Sequence, residues 1–428
     1  MKTIDYPSFN ETLHTFYIQD RLKVILIEKP YFHKTYVSLS TPLGALNTGY
    51  LDSEGKPQTV PKGIAHFLEH KIFEQDGQDI SRQFALQEAN INAYTEYTRT
   101  TYLFHSTNHL YDNIERLITM FFHPKFSEEG VEKEKNIILE ELNMHLDDPY
   151  YRQYHTLLNG LYHHHPIKYD ILGTKESIKA IDKSALNAMH EAYYRPEDSV
   201  LVVIGDFDVE ALYQQLQLIS LPKPTLMQPW QAAINEPIES VISAKTLKED
   251  VLLPSLLIGI KLNTEQPLSP YQRIKFHLSF SIYMDLRFGK SSDFYEWLLD
   301  EKLINDAYGL DISLEKEYGY VLIGSETPNP EALYEALVEH LLNPTIKRSH
   351  IDDFNRVKKH LLGSFVMSLD SLEFVAHETS RLALDNLYIY DVIDIAQSIT
   401  FEDVIAQEKH FVKAALSSVI TEPKNDAQ

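Results

Sequence analysis

The sequence predicts an α+β protein of two related domains, each an antiparallel-dominated sheet covered by helices on one side. With 428 residues and 43% hydrophobic content, the chain is too long for one typical domain and has ample material for two cores. Strand-like and helix-like segments occur in both halves, and their order in the second half weakly repeats that of the first. Between the halves, residues 221–237 form an irregular, proline-rich stretch typical of an extended linker. We therefore predict domains over residues 1–220 and 238–428.

The first half begins with three segments rich in β-branched and aromatic residues, which favour strands. These segments are Thr15–Ile18, Leu22–Glu28 and Thr35–Ser40. The pattern of apolar residues then predicts helices over 64–75, 80–90, 110–122 and 130–146. A β-prone segment over residues 92–104 and a buried strand that begins at residue 199 complete this half.

The second half offers the same kinds of element in a similar order. Strands are predicted over residues 251–260 and 320–324, and helices over residues 271–288 and 351–369. Neither of these helices carries a set of metal-ligating side chains like that of the first half. The sequence therefore predicts one metal-bearing half and one metal-free, homologous half.

Composition excludes several classes of function. The net charge is -23, from 39 basic and 62 acidic residues, which argues against nucleic acid or an anionic membrane as a partner. The chain has no cysteine, so disulfides, thiolate metal sites and cysteine nucleophiles are excluded. The first residues lack the apolar region of a signal peptide, and no later run approaches the length of a membrane span. We expect a cytoplasmic protein.

The strongest chemical signal is the pentapeptide His66-Phe-Leu-Glu-His70, within a segment that can run as a helix. In a helix His70 lies one turn after His66, and Glu69 lies beside both. Two imidazoles one turn apart suit two corners of a tetrahedral zinc site, and the carboxylate can reach a water molecule there. This is the inverted zinc-peptidase motif His-x-x-Glu-His. The alternative is an ordinary helix with one buried histidine and two solvated polar groups.

A zinc hydrolase needs a third protein ligand, and the helix predicted over residues 130–146 offers candidates. Glu134, Ile137, Ile138 and Glu141 share one stripe of this helix, and the two isoleucines predict that the stripe faces the core. Buried carboxylates need a cation or a hydrogen-bonding partner. Glu141 is then the better ligand, and Glu134 supports a ligating histidine. A surface helix with ordinary charges remains the alternative.

With Glu141 placed 71 residues after His70 and seven after Glu134, the chain resembles the pitrilysin family of inverted-motif zinc metallopeptidases. This family includes insulin-degrading enzyme and mitochondrial processing peptidase. The resemblance extends over nearly the whole chain, with further landmarks in His165-Pro, Ile171-Leu-Gly-Thr, Tyr194-Arg-Pro-Glu-Asp and Val202-Val-Ile-Gly-Asp. At this length the chain is similar to the short, two-domain bacterial branch, in which each chain forms half of a clamshell.

The resemblance implies a complete set of roles. One zinc ion would be held by His66, His70 and Glu141, with Glu69 as the general base and Glu134 in support of the ligands. Peptide substrates or unfolded segments would add as a strand along an edge segment of four residues. These residues are Asn92, Ala93, Tyr94 and Thr95.

One departure from the family pattern bears on the partner. Active members carry Leu-Arg-Glu-Lys-x-x-x-Ala-Tyr, in which Arg and Tyr hold the substrate carbonyl. Here Tyr308 matches, and we expect it to bind substrate, but the Arg position is acidic, at Asp300 or Glu301. We therefore expect a zinc endopeptidase that works as a heterodimer with a related zinc-free chain, in bacterial peptide maturation for example. The alternatives are a self-sufficient homodimeric peptidase and a non-catalytic peptide-binding subunit with a structural metal.

Overall fold

The computed structural model of the protein describes residues 1–75, 78–262, 268–343, 346–411 and 415–424. The strands in these ranges are, in chain order, β1 (Lys2–Tyr6), β2 (Glu11–Ile18), β3 (Leu22–Glu28), β4 (Thr35–Thr41), β5 (Gly49–Leu51), β6 (Pro57–Thr59), β7 (Glu74–Gln75), β8 (Gln78–Asp79), β9 (Ala89–Thr95), β10 (Thr100–Ser106), β11 (Val200–Gly205), β12 (Gln228–Pro229), β13 (Ala244–Glu249), β14 (Ser255–Lys261), β15 (Gly309–Leu314), β16 (Gly319–Glu326) and β17 (Leu416–Pro423).

The α-helices in the same ranges are α1 (Ile64–Ile72), α2 (Ser81–Ala85), α3 (Leu110–Phe122), α4 (Glu128–Asp147), α5 (Pro149–Leu161), α6 (Lys175–Ala180), α7 (Lys183–Tyr193), α8 (Val209–Leu216), α9 (Pro270–Phe288), α10 (Asp293–Asp300), α11 (Pro330–Leu342), α12 (Ile351–Ser368), α13 (Leu372–Leu384), α14 (Asp391–Ser398) and α15 (Phe401–Ile405). Short 3-10 helices lie at Pro7–Phe9, Pro166–Lys168, Pro196–Asp198, Arg348–His350 and Ala406–His410. None of the described helices combines the length and apolar character needed to cross a membrane.

The chain divides into two compact units. The first unit comprises Met1–Leu142, Asp170–Ala233 and Ser368–Tyr390, and the second comprises Asn143–Tyr169, Ile234–Met367 and Asp391–Gln428. These units differ from the predicted domains at 1–220 and 238–428, because α5 belongs to the second unit and α13 to the first. The predicted domains and their linker at 221–237 stay a prediction.

The five-stranded sheet of the second unit repeats the topology of five consecutive strands of the seven-stranded sheet of the first unit. The sheet of the first unit has the strand order β1-β2-β3-β11-β4-β10-β9, and that of the second has the order β13-β17-β14-β16-β15. In each, the last strand in sequence pairs in parallel with one neighbour, β11 with β3 and β17 with β13, and the other pairs are antiparallel. This agreement confirms the prediction of two related α+β halves with antiparallel-dominated sheets.

The expectation that helices cover one side of each sheet was wrong. On β4, Val37 and Leu39 belong to the core that includes α1 and α3, whereas Ser38, on the opposite face, hydrogen-bonds Ser380 of α13. In the second unit, a β-carbon at Gly259 of β14 would lie 2.7 Å from Leu161 of α5, while its neighbours on β14 face the core that includes α9 and α11. Each sheet is therefore covered on both faces.

Two predicted helices are shorter in the structure. The helix expected over residues 64–75 ends at Ile72, because Glu74 and Gln75 pair with β8 as a short strand. The helix expected over residues 80–90 is reduced to α2, and the chain turns at Glu88 with φ 57° before β9 begins at Ala89. Pairing with β10 outweighs the local helical pattern there.

Candidate metal centre

Helix α1 presents its three motif residues at a point fixed by the surrounding fold of the first unit. It begins after Gly63, whose φ is 84°. A β-carbon at this position would lie only 2.1 Å from the carbonyl oxygen of Leu172. Any other residue at position 63 would collide with that backbone. The segment Ile171-Leu-Gly-Thr, noted in the sequence, thus fixes where α1 starts and where His66 lies.

Helix α4 supplies the acidic residues, with one difference from the sequence-based expectation. Ile138 is buried, but Ile137 is 43% exposed, so the predicted stripe through both isoleucines was wrong. The buried side of α4 runs through Val131, Ile138 and Leu142. Glu134 and Glu141 lie at the edge of this side, partly buried, and so their carboxylates reach α1 without being enclosed in apolar core.

The three predicted ligands come together. One ligand atom from each of His66, His70 and Glu141 lies within 4.8 Å of the others, and no second group of this kind occurs among the described residues. The His66 Nε2 atom is 3.7 Å from Glu141 Oε1, and the His70 Nε2 atom is 3.6 Å from Glu141 Oε2. Ligands about 2.0–2.2 Å from a tetrahedral zinc ion lie about 3.3–3.6 Å apart. The donor set and its spacing fit one zinc ion.

Glu134 fixes the orientation of one ligand. Its Oε1 atom lies 3.0 Å from Nδ1 of His70. Because a carboxylate only accepts, Nδ1 donates, and the lone pair of a neutral His70 ring is then on Nε2, toward Glu141. Burial alone would lower the pKa of His70, but the hydrogen bond with Glu134 and the neighbouring carboxylates outweigh it and raise the pKa. This is the supporting position expected for Glu134.

Glu69 is buried beside the ligands and is held by a strand residue. The hydroxyl of Thr95 donates to Glu69 Oε2 over 2.7 Å. Burial raises the pKa of Glu69, and the Thr95 hydrogen bond and the nearby His70 offset part of that rise. A carboxylate whose proton affinity is raised by burial suits a general base that must accept and then return a proton.

The four residues expected to pair with substrate lie on β9, the last strand in the order of its sheet. Glu96 donates its backbone N–H to Arg99 across the hairpin, so by alternation the N–H groups of Ala93 and Thr95 point away from β10. The N–H of Ala93 is instead covered by the side chain of its neighbour Asn92, at 2.9 Å. The backbone of Ala93 therefore faces the open edge of the sheet.

Tyr308, the other expected substrate residue, lies in the core of the second unit. It is 7% exposed, and its hydroxyl donates to the carbonyl oxygen of Phe288 over 3.0 Å. Contact with a substrate would require that this hydrogen bond be exchanged. The predicted substrate role of Tyr308 stays a prediction.

Two polar contacts around the motif were not expected from the sequence. The hydroxyl of Thr95 had no assigned role, because only its backbone was expected to bind substrate. Lys71 was not singled out, although it is buried and pairs with Glu74 three residues later. The helix expected over residues 64–75 would have made Lys71 and Glu74 neighbours by their spacing of three, but the structure brings them together at the helix end, where Glu74 already belongs to β7.

Comparisons with known proteins identify the family of the chain. Residues 53–175 match the family described as insulinase, peptidase family M16, and residues 180–361 match the peptidase M16 inactive domain. An uncharacterized zinc protease of Bacillus subtilis, YmfH, is 34% identical over 407 residues, covering 94% of this chain and 95% of that protein. The chloroplastic stromal processing peptidase of Arabidopsis thaliana is 32% identical over 172 residues, 38% of this chain and 13% of that protein.

Solved structures share the fold. A protein of Alicyclobacillus acidocaldarius described as an M16-like peptidase superposes with a TM-score of 0.90 at 30% identity, covering 99% of this chain and 100% of that one. A protease of Helicobacter pylori has a TM-score of 0.77 at 18% identity over 96% of this chain and 99% of that one, a likeness of fold. The resemblance stated from the sequence is confirmed: the chain belongs to peptidase family M16, the insulinase family.

Proposed function

We propose that this chain is the zinc-bearing subunit of an endopeptidase that hydrolyses peptides or unfolded segments. The observation that carries the proposal is the convergence of two Nε2 atoms on the carboxylate of Glu141, at 3.6 and 3.7 Å, beside the buried carboxylate of Glu69. His66, His70 and Glu141 would hold one zinc ion. When bound there, zinc polarises a peptide carbonyl and makes a water molecule acidic enough to lose a proton near neutral pH.

The residues of this chain supply the proton transfer. The hydroxyl of Thr95 engages Oε2 of Glu69, which leaves Oε1 to accept the proton from the attacking water. The same oxygen then returns the proton to the leaving amine. Glu134 keeps the His70 ring oriented throughout, because its hydrogen bond does not depend on the substrate.

Substrate would bind as an added strand along β9. The outward N–H and carbonyl groups of Ala93 would form backbone hydrogen bonds with substrate. The N–H would then give up the bond that it now donates to Asn92 Oδ1. Backbone pairing gives affinity with little dependence on sequence. It also requires an extended peptide, which favours small peptides and unfolded segments over folded proteins.

A partner chain would complete the substrate clamp. The position where the resemblance expects Arg is acidic in this chain, and Tyr308 is engaged with Phe288. We propose that a related, zinc-free chain supplies both groups, so that the working peptidase is a heterodimer. Peptide maturation in bacteria is a role that this arrangement suits.

A peptide-binding subunit with a structural metal is the second candidate, favoured by that missing Arg. Glu69 argues against it, because a structural zinc site has no need of an additional buried carboxylate held at hydrogen-bonding distance by Thr95.

Elemental analysis together with peptide hydrolysis tests the proposal. Wild-type protein should carry about one zinc per chain, and His70→Ala should carry none. Glu69→Gln should keep the zinc and lose at least about 100-fold in turnover of an unfolded peptide, because the general base is gone. Normal turnover by Glu69→Gln would exclude this residue as the base, and zinc-free wild type would refute the assignment of the metal centre.

A further inference from the structure

Lys71 is a fully buried cation directly after a metal ligand. None of its surface is exposed, and its Nζ atom lies 2.5 Å from Glu74 Oε2 and 3.8 Å from Glu134 Oε2. A buried ammonium group persists only where charges or hydrogen bonds compensate it, and these two carboxylates do so. The simplest explanation is a structural ion pair that closes the end of α1. The ion pair with Glu134, which supports the ligand His70, indicates a further role for Lys71.

Glu134 is engaged through both of its oxygens by consecutive residues of α1. His70 Nδ1 lies 3.0 Å from Oε1, and Lys71 Nζ lies 3.8 Å from Oε2. The hydrogen bond orients the His70 ring, and the attraction of Lys71 for Oε2 favours the carboxylate orientation that makes this bond. Without Lys71, the carboxylate could rotate about its bond to His70.

The backbone of α4 is also fitted to this ion pair. A β-carbon at Gly130, one turn before Glu134, would lie 2.8 Å from Lys71 Nζ and 2.6 Å from Glu74 Oε1. A β-carbon there would push the ends of both side chains aside, so glycine lets the first turns of α4 approach the ion pair closely. Because α4 is one continuous helix, this contact also sets the rotation at which Glu141 faces α1.

We propose that Lys71 is a positioning residue of the metal centre, which holds Glu134 and α4 in register with α1 before zinc binds and thereby sets the affinity for zinc. This inference rests on the proposed function, since zinc is the ion concerned. The charge of Lys71 and its positioning role have opposite effects on the affinity for zinc. A cation near the site repels zinc, so loss of the charge alone would tighten zinc binding, whereas loss of register weakens it.

The test is the zinc dissociation constant, measured by competition with a chromophoric chelator on Lys71→Met, which is similar in length and uncharged. We expect zinc to bind about 10-fold more weakly, the scale seen when a residue that supports a metal ligand is removed. Lys135→Met is the matched control, because Lys135 lies on α4 near Glu134 in sequence but pairs with the exposed Glu132. Its zinc affinity should equal that of wild type.

Gly130→Ala is the second variant, and circular dichroism of the metal-free proteins shows which variants are folded. The methyl group that Gly130→Ala introduces displaces the ion pair while every charge is kept, so zinc should again bind several-fold more weakly to this variant. Unchanged or tighter zinc binding in a folded Lys71→Met protein would overturn the proposal. If that variant does not fold, wild-type affinity in Gly130→Ala would overturn it equally. A wild type that binds no zinc would remove the proposed function itself.

Discussion

At the scale of single residues, the hydroxyl of Thr95 has a consequence for catalysis that can be measured. It donates to Glu69 Oε2, so it fixes which oxygen remains to accept a proton. Thr95→Val keeps the shape of the side chain and removes the donor. We expect kcat for an unfolded peptide to fall about tenfold, since a hydrogen bond from a neutral donor to a buried charged acceptor contributes roughly 1.5 kcal/mol. Steady-state kinetics of zinc-loaded protein measures the effect.

Thr101→Val is the control for this prediction. Thr101 lies on the neighbouring strand β10, and its hydroxyl hydrogen-bonds Ser40 rather than a motif residue. The control removes a buried hydroxyl from the same hairpin and should leave kcat within about twofold of wild type. Equal losses in both variants would mean that Thr95 acts on stability and not on the base.

The residues of the site differ in how far the sequence could predict them. The relation of His66, Glu69 and His70 follows from helical spacing, which is local. The contact of Glu69 with Thr95 joins residues 26 apart through the placement of β9 beside α1, which no local pattern encodes. Ile137 was misplaced because several registers of α4 bury a comparable set of apolar residues, and only packing selects one.

At the scale of elements, β9 offers a direct test of substrate binding by strand addition. Ala93→Pro removes one of the two outward N–H groups of the expected substrate strand and leaves the pairing with β10 intact, since that N–H points to the open edge. We expect kcat/KM for an unfolded peptide to fall about tenfold, as one backbone hydrogen bond to the substrate is lost. Zinc content should not change.

Ala93→Val is the matched variant for β9. It enlarges the side chain at the same position but keeps the N–H, so kcat/KM should stay within about threefold of wild type. If valine reduces kcat/KM as much as proline does, then side-chain packing and not backbone pairing determines binding along this strand.

In the second unit, Glu236 ties the loop after α5 to β14, and its pKa gives a prediction about stability. The backbone N–H groups of residues 163, 164 and 165 donate to its carboxylate, and Lys261 forms an ion pair with it. Although burial acts in the opposite direction, these contacts lower the pKa of Glu236 from 4.5 to about 2.

Because the pKa is lower in the folded state, Glu236 stabilises the protein fully above pH 4.5, and this contribution is lost as the pH falls toward 2. Glu236→Gln should therefore lower the free energy of unfolding at pH 7 by about 2–3 kcal/mol and flatten its dependence on pH between 5 and 2. Urea unfolding at several pH values measures both effects. Glu239→Gln, an exposed neighbour, should change neither.

Secondary-structure prediction succeeded where an apolar pattern runs over many residues. It failed where strand pairing determines the structure. The boundaries of α3, at Leu110–Phe122, agree with the sequence, since its apolar stripe is continuous. The helix expected over residues 80–90 is mostly absent because Ala89 is drawn into β9. The positions of α5 and α13 were not predictable, because each covers a sheet whose strands lie far away in sequence.

At the scale of the whole molecule, two halves of one topology differ in chemistry. The sequence shows the repeat only as an order of elements, whereas the strand orders of the two sheets make it explicit. Among the described residues, the ligand group occurs in the first unit alone. The second unit keeps the fold without the ligand group, so the acidic residues before Tyr308 bear on how the proposed peptidase would be completed.

The last prediction separates a heterodimer from a self-sufficient chain. The resemblance expects Arg at Asp300, which ends α10, or at the next residue, Glu301. If a partner supplies the clamp, the isolated chain should bind zinc but hydrolyse an unfolded peptide slowly. A mixture with a related chain that carries the Arg and Tyr should be at least about 100-fold faster, because one such donor contributes about 10²–10³ in rate. Asp300→Arg should leave the isolated chain slow, and a partner without its Arg should give no rescue. Full activity of the isolated wild type would instead establish a peptidase that needs only copies of itself. A gain of activity in Asp300→Arg alone would contradict the need for a partner to supply the Arg.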